Sequence, residues 1–277
     1  MLDDAVTLPF PSRVPPRAWL ELGRVRHVQW SSYRLAVPTL PAKLEGLRLL
    51  HLTDLHVTSV WMPAWDRLLE RIAADPPDLI CVSGDFVDSK HDPAPAIPTL
   101  RRLLDRLPAR LGIYGTLGNH DGDVLPVFAG DWPVRVLCNE TLCLRDGETT
   151  LELIGLHGVE PTDASPRVLQ ALPPRGPLPL RVVMAHYPSQ ATWLAPGVAD
   201  VVLTGHTHGG QVCLPGGWPP VTHETLPRRF ARGVHWLGDR WLVIGRGLGF
   251  STHRVRTFCP AEAIELTLVR GSASDSR

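Results

Sequence analysis

Five apolar runs in this chain end in the same kind of residue. Leu47-Arg-Leu-Leu-His-Leu52 leads into Asp54 and His56, and Leu79-Ile-Cys-Val82 leads into Gly84-Asp85. Residues 112–117 lead into Gly118-Asn119-His120-Asp121, residues 181–185 into His186, and residues 200–204 into Gly205-His206-Thr207-His208. Each run has the length and composition of a buried strand. In open α/β sheets ligand sites gather at the carboxyl ends of the strands, so five polar clusters at five strand ends are expected to converge on one site.

The stretches between the runs complete an α/β pattern. Pro63 opens a helix through Leu68, Leu69 and Ile72 that stops before Pro76-Pro77. Residues 98–107, 166–172 and 188–195 read as helical. Residues 24–37 read as a strand pair or a single edge strand, and 134–138, 141–145 and 151–156 as paired short strands. Residues 234–237, 241–245 and 262–269 read as β. The 28 prolines and 24 glycines fall between apolar runs and not in repeats, which fits a loop-rich fold. The expected organisation is a lead-in with an edge strand over 1–43, of which residues 1–20 carry little structure. A main domain over 44–270 and a tail over 271–277 follow.

Composition excludes several classes. The 28 basic and 28 acidic residues balance, and no basic tail or stripe marks a dedicated nucleic-acid binder. Five cysteines at irregular spacing, with no CxxC pair, suggest neither a zinc ribbon nor a disulfide framework; reduced thiols in the cytoplasm are the plain reading. The N-terminus has no apolar run of signal-peptide length, and no segment reaches the roughly 20 apolar residues that span a bilayer. A soluble cytoplasmic protein, monomer or homodimer, is expected, with peripheral contact to the inner face of the membrane compatible.

The clustered residue types suit divalent metals, which take carboxylate, imidazole and carbonyl ligands. Asp54-x-His56 offers a carboxylate and an imidazole, and a spacing of two puts both on one face of a strand. Asp85 follows a glycine that permits close backbone approach, and its two oxygens can bridge two ions. Asn119 offers an amide oxygen, and His186, His206 and His208 offer imidazole nitrogens. Two ions so held would clamp a phosphate and activate a water between them. His120 is then placed to protonate the leaving oxygen or steady the phosphoryl group, with Asp121 orienting its ring. Each residue alone has a plainer reading. A single Asp after a strand is a helix cap or turn residue, and a single His a satisfied loop side chain. The ordered set carries the inference.

In that order the five clusters resemble the motifs of the calcineurin-like metallophosphoesterases. The resemblance runs from about residue 44 to 269. Gly-His-Thr-His-Gly-Gly-Gln (205–211) with Arg246-Gly-Leu-Gly249 is similar to a bacterial subgroup of phosphohydrolases and phosphodiesterases. The resemblance implies a four-layer α/β/β/α sandwich with two mixed β-sheets and the metals at their edge. It assigns Asp54, His56, Asp85 and His208 to one ion, and Asp85, Asn119, His186 and His206 to the other. Manganese is the commonest implied metal, with iron or zinc as alternatives. The implied substrate is a phosphate-ester small molecule or a nucleotide-linked one, a phosphodiester or a pyrophosphate. Members acting on UDP-2,3-diacylglucosamine in lipid A synthesis, phosphomonoesterases and protein phosphatases are the alternatives. A metal-free scaffold would show damaged ligands, and all seven positions are intact.

Other residues stay secondary. Arg246 can meet a substrate phosphate or form an ion pair. His51 reads as packing, and Cys213 as a buried thiol. Trp61 and Trp65 follow the first cluster closely and either line the mouth of the site or pack in the core.

Overall fold

Runs such as Leu79–Ser83 and Val201–Thr204 are buried at every position, as strands covered on both faces must be. The computed structural model describes residues 2, 4–9, 19–122, 130–146, 149–158 and 180–276. The expected helix over 166–172 lies outside them, as do residues 1, 3 and 10–18 of the expected lead-in.

Along the chain the strands and helices are β1 (Val6–Thr7), β2 (Leu20–Leu22), β3 (Val28–Val37), β4 (Arg48–Leu52), α1 (Pro63–Ala74), β5 (Leu79–Ser83), α2 (Ile97–Leu104), β6 (Ile113–Thr116) and β7 (Val134–Val136). There follow β8 (Glu140–Asp146), β9 (Thr149–Gly155), β10 (Leu180–Met184), β11 (Val201–Thr204), β12 (Gly233–Trp236), β13 (Trp241–Ile244), β14 (Val255–Thr257) and β15 (Ala261–Arg270).

Among the described residues these strands build two mixed sheets and one small ribbon. The first sheet has the order β3-β15-β4-β5-β6-β7 and the second β1-β12-β13-β11-β10-β9-β8; β14 pairs with β2. Strands β4, β5 and β6 run parallel, as do β9, β10, β11 and β13. Of the three short strands expected to pair with one another, only β8 and β9 do so; β7 joins the first sheet beside β6. Strand β3 begins at Val28, later than expected, because the backbone N–H groups of Arg26 and His27 are taken by the Glu21 carboxylate.

The sheets face each other across one apolar layer. Leu35, Leu49, Leu79 and Leu266 of the first meet Leu153, Val182, Leu203 and Trp241 of the second. Helices α1 and α2 cover the outer face of the first sheet, with Trp65, Leu69, Ile72 and Leu100 in that core. On the outer face of the second sheet, Ala191, Leu194 and Phe230 pack against Val183, Val202 and Ile244. There the covering segments among the described residues are 3-10 turns, Pro188–Trp193 and Arg228–Ala231. The helix expected over 188–195 is therefore a tighter turn. Gln190 folds back so that its Oε1 accepts from the N–H of His186 (3.2 Å) and of Tyr187 (3.0 Å), which fixes the entry. This is an α/β sandwich in which the carboxyl ends of β4, β5, β6, β10 and β11 lie along one edge.

Candidate metal centre

The strand-end loops turn sharply. Asp54 (φ 48°), His56 (φ 40°), Asp85 (φ 54°), His206 (φ 67°) and His208 (φ 50°) all take left-handed backbone conformations. Asp54 and His56 therefore do not share a face of a strand, as their spacing suggested: β4 ends at Leu52 and both lie beyond it. Each such conformation costs on the order of 1–3 kcal/mol, and the surrounding bonds hold it. His56 N–H donates to Asp85 O at 3.0 Å and Asp54 N–H to Gly84 O at 3.0 Å. Gly84 (φ 94°) and Gly118 permit the approach of two loops; a Cβ on Gly118 would sit 2.1 Å from Asp85 Oδ1.

These turns bring the seven side chains together. His208 Nε2 lies 3.2 Å from Asp54 Oδ1 and 3.0 Å from His56 Nε2. Asp85 Oδ2 lies 3.3 Å from His56 Nε2 and 3.4 Å from His186 Nε2, between the two halves of the cluster. Asn119 Oδ1 lies 3.0 Å from both His186 Nε2 and His206 Nδ1. Asp54, His56, Asp85, His186 and His208 are buried.

The donor set fits a cation. A carbonyl only accepts, so His186 Nδ1, 2.9 Å from Ser83 O, carries that ring's proton. Likewise His206 Nε2 donates to His223 O at 3.0 Å. The nitrogens left facing the site, His186 Nε2 and His206 Nδ1, then hold lone pairs aimed at other acceptors. That arrangement is satisfied by a metal ion. The buried carboxylates attract positive charge of either kind, an ion or a proton on a facing imidazole. Burial opposes charge on His56, yet Asp85, Asp88 and Asp54 raise it to about 10. Burial likewise opposes charge on His186, and Asp85 and Asp54 raise it to about 9. Burial works against the charges on Asp54 and Asp85, and the facing imidazoles still hold both below the usual carboxylate range. Two buried carboxylates demand positive charge at this point.

His120 stands half-buried beside the cluster, its ring edge-on to His56 with centroids 4.7 Å apart. Its backbone N–H donates to Asp85 Oδ1 at 2.8 Å, and Nδ1 donates to Asp88 O at 2.7 Å. Asp121, expected to orient this ring, does not. Its fully buried carboxylate instead accepts from the N–H of Phe86 (2.8 Å), Val87 (3.3 Å) and Gly118 (2.9 Å), and so ties the Asp85 and Asn119 loops together. Burial and the Asp85 charge push it up to about 7. Arg246 is also corrected. It is buried, with Nε bonded to Glu262 Oε2 at 2.8 Å, and does not face the site's opening. Trp65 is wholly buried in the helix-side core, and Trp61 packs against it with Nε1 bonded to Asp66 (2.9 Å), so neither lines the mouth. His51 packs inside, Nε2 2.8 Å from Ser83 Oγ. Cys213 is a buried thiol near Gly209 O.

Sequence reasoning missed two residues. Asp88 holds His120 by its carbonyl and places its carboxylate 3.4 Å from His56 Nδ1; the available signal was a second acid three residues after Asp85. Buried Arg256 places Nη2 3.3 Å behind His208 Nδ1 while bonding the carbonyls of Arg246 (2.8 Å) and Gly249 (2.6 Å). No local motif marks it.

A sequence profile of the calcineurin-like phosphoesterases matches residues 47–210, which contain all seven converging side chains. The chain belongs to the calcineurin-like phosphoesterase family. Members of this family are metal-dependent hydrolases of phosphate esters, and this chain is one. An uncharacterized metallophosphoesterase of Campylobacter jejuni is 26% identical over 83% of this chain, which spans 61% of that relative's length. Phosphodiesterase YaeI of Escherichia coli is 28% identical, covering 80% of this chain and 82% of its own. The UDP-2,3-diacylglucosamine pyrophosphatase LpxG of Chlamydia trachomatis is 25% identical, covering 86% and 87%. Among the described residues no helix is long and apolar enough to cross a membrane.

Proposed function

We propose that this phosphoesterase hydrolyses phosphodiester or pyrophosphate-linked molecules. The observation that carries this reading is a pair of cavities meeting beside the metal centre. One, of about 410 Å³, is bounded by His206, His208, Gln211, Val212, Val221 and His253. The other, of about 720 Å³, is bounded by Asn119, Tyr187, His206, His223, Glu224 and Arg228. They share His206, Pro220, Val221 and His223. A monoester has one arm to house; two adjoining cavities that both reach His206 suit a substrate with two. The phosphodiesterase and pyrophosphatase relatives agree with this reading.

In the proposed assignment Asp54, His56, Asp85 and His208 hold one divalent ion and Asp85, Asn119, His186 and His206 the other, with manganese the first candidate and iron or zinc the alternatives. Such ions supply phosphoryl charge neutralisation and a water of lowered pKa. The chain's own residues do the rest. Asp88 O fixes the proton on His120 Nδ1, which leaves a proton carried by Nε2 as the one the ring can give to the leaving oxygen. Burial of Asp54 and Asp85 keeps both carboxylates dry and committed to the cation site. All five cysteines are free thiols, which fits a reducing cytoplasm, and we place the enzyme there, within reach of the inner face of the membrane.

The test compares turnover of bis(p-nitrophenyl) phosphate with p-nitrophenyl phosphate after manganese loading. Faster diester turnover is expected; a strong preference for the monoester contradicts this reading and favours a phosphomonoesterase. Offering UDP-2,3-diacylglucosamine and measuring UMP release tests the pyrophosphate version.

A further inference from the structure

Beside the smaller cavity three segments run side by side. Strand β2 pairs with β14, Leu20 opposite Thr257 and Leu22 opposite Val255. On the other edge of β14, Val212 bridges Thr257, and the Cys213 N–H donates to Thr257 O at 3.0 Å. The alternation along this ribbon is inverted. Its polar side chains, Glu21 and Arg256, point inward and are buried. There Glu21 accepts from two backbone N–H groups, and Arg256 binds carbonyls behind His208. Its apolar side chains point out. A sheet with one solvated face ordinarily does the opposite.

Among the described residues, eight large apolar side chains are strongly exposed, and seven belong to this ribbon and the turns joined to it. Trp19, Leu20 and Leu22 stand on one side; Val212, Leu214 and Trp218 on the other, with Val221 beyond, each between 37% and 59% exposed. Arg24, Arg26 and His253 are at the surface of the same segments, as is Arg254 with Nη2 3.9 Å from Asp88 Oδ2, and Arg228 lies 5.0 Å from the Trp218 ring. Residues 19–26, 211–223 and 251–258 contain one acid, Glu21, and it is buried.

We propose that this face docks the enzyme on an anionic lipid bilayer. Contiguous exposed apolar surface marks an interaction site. Trp and Leu side chains rimmed by arginine match the boundary between acyl chains and acidic headgroups. A second copy of the chain is a poorer occupant, because a two-fold contact would set these arginines against themselves. Val212 and Val221 belong both to this face and to the cavity that reaches His206 and His208. A bound enzyme therefore receives a phosphate ester whose apolar tail stays in the bilayer; this consequence, and not the docking, rests on the phosphodiesterase reading.

The experiment is co-sedimentation of the full chain with phosphatidylcholine vesicles and with vesicles that also contain phosphatidylglycerol. Partitioning onto the anionic vesicles is expected to be stronger by roughly tenfold or more and to fall with salt. Leu22→Ser with Leu214→Ser and Trp218→Ser is expected to abolish it while hydrolysis of soluble bis(p-nitrophenyl) phosphate stays unchanged. Arg24→Glu, which leaves the apolar face intact, is expected to weaken it by about fivefold or more. Equal partitioning on both vesicle types, or of wild type and Arg24→Glu, overturns the proposal. So does a wild-type dimer that the serine variant dissociates without either binding lipid. Absent vesicle binding with intact diester turnover removes the docking face and leaves the enzyme reading in place.

Discussion

His120 and Arg246 sit in opposite surroundings, one beside the cluster and the other locked in an ion pair. His120 is half-buried beside the cluster with its Nδ1 proton fixed by Asp88 O. His120→Ala is expected to keep its metal and lose on the order of 10²–10⁴-fold in turnover; a combined metal analysis and rate measurement checks this, and an unchanged rate removes His120 from the chemistry. Arg246 is locked to Glu262 with both side chains almost fully buried. Arg246→Ala is expected to destabilise the fold by about 3–5 kcal/mol in urea unfolding, with KM unaltered. A raised KM at full stability returns it to the substrate. The seven clustered residues were legible because each follows an apolar run. The partner of Arg246 was not, since Glu262 sits sixteen residues away on β15, whose register is set by tertiary packing.

At the scale of elements, the buried strands and α1 followed from apolar runs and proline punctuation, while β1, β2, β14 and the loops did not. Residue spacing assumes extended backbone, whereas Asp54 and His56 lie in left-handed turns fixed by bonds to the Asp85 loop. Gly118 is where these loops touch, so Gly118→Ala is expected to displace Asp85 and weaken metal binding by about 10- to 100-fold. Unaltered metal affinity contradicts that close approach. Strand β12 carries a pH dependence. Buried His235 is bonded to Thr7 Oγ1 (2.8 Å) and Arg232 O (3.0 Å), and burial lowers it to about 4. A lowered histidine stabilises the fold fully above its unfolded value near 6.5, and that contribution is lost as pH falls from there toward 4. Urea midpoints at fixed metal should therefore drop between neutral and mildly acidic pH. They should drop less in His235→Gln, and an equal drop in both assigns the dependence elsewhere.

At the scale of the molecule, two sheets packed face to face bring five strand ends from distant parts of the chain to one edge. The proposed ligands from the first sheet span residues 54–119 and those from the second 186–208, so the cluster exists only when both halves fold and pack. Fold class and site location were readable because buried parallel strands have a strong signature. The proposed substrate cavity was not, because Gln211 and Val212 take their positions from β14, and β14 from β2. The most direct measurement is turnover of bis(p-nitrophenyl) phosphate by metal-stripped enzyme as manganese is added, alongside Asp85→Asn. Activity should rise with bound metal and saturate near about two ions per chain, with Asp85→Asn retaining neither the ions nor the rate. Full turnover in stripped wild type, or in Asp85→Asn with its metal lost, would contradict a two-metal phosphoesterase centred on Asp85.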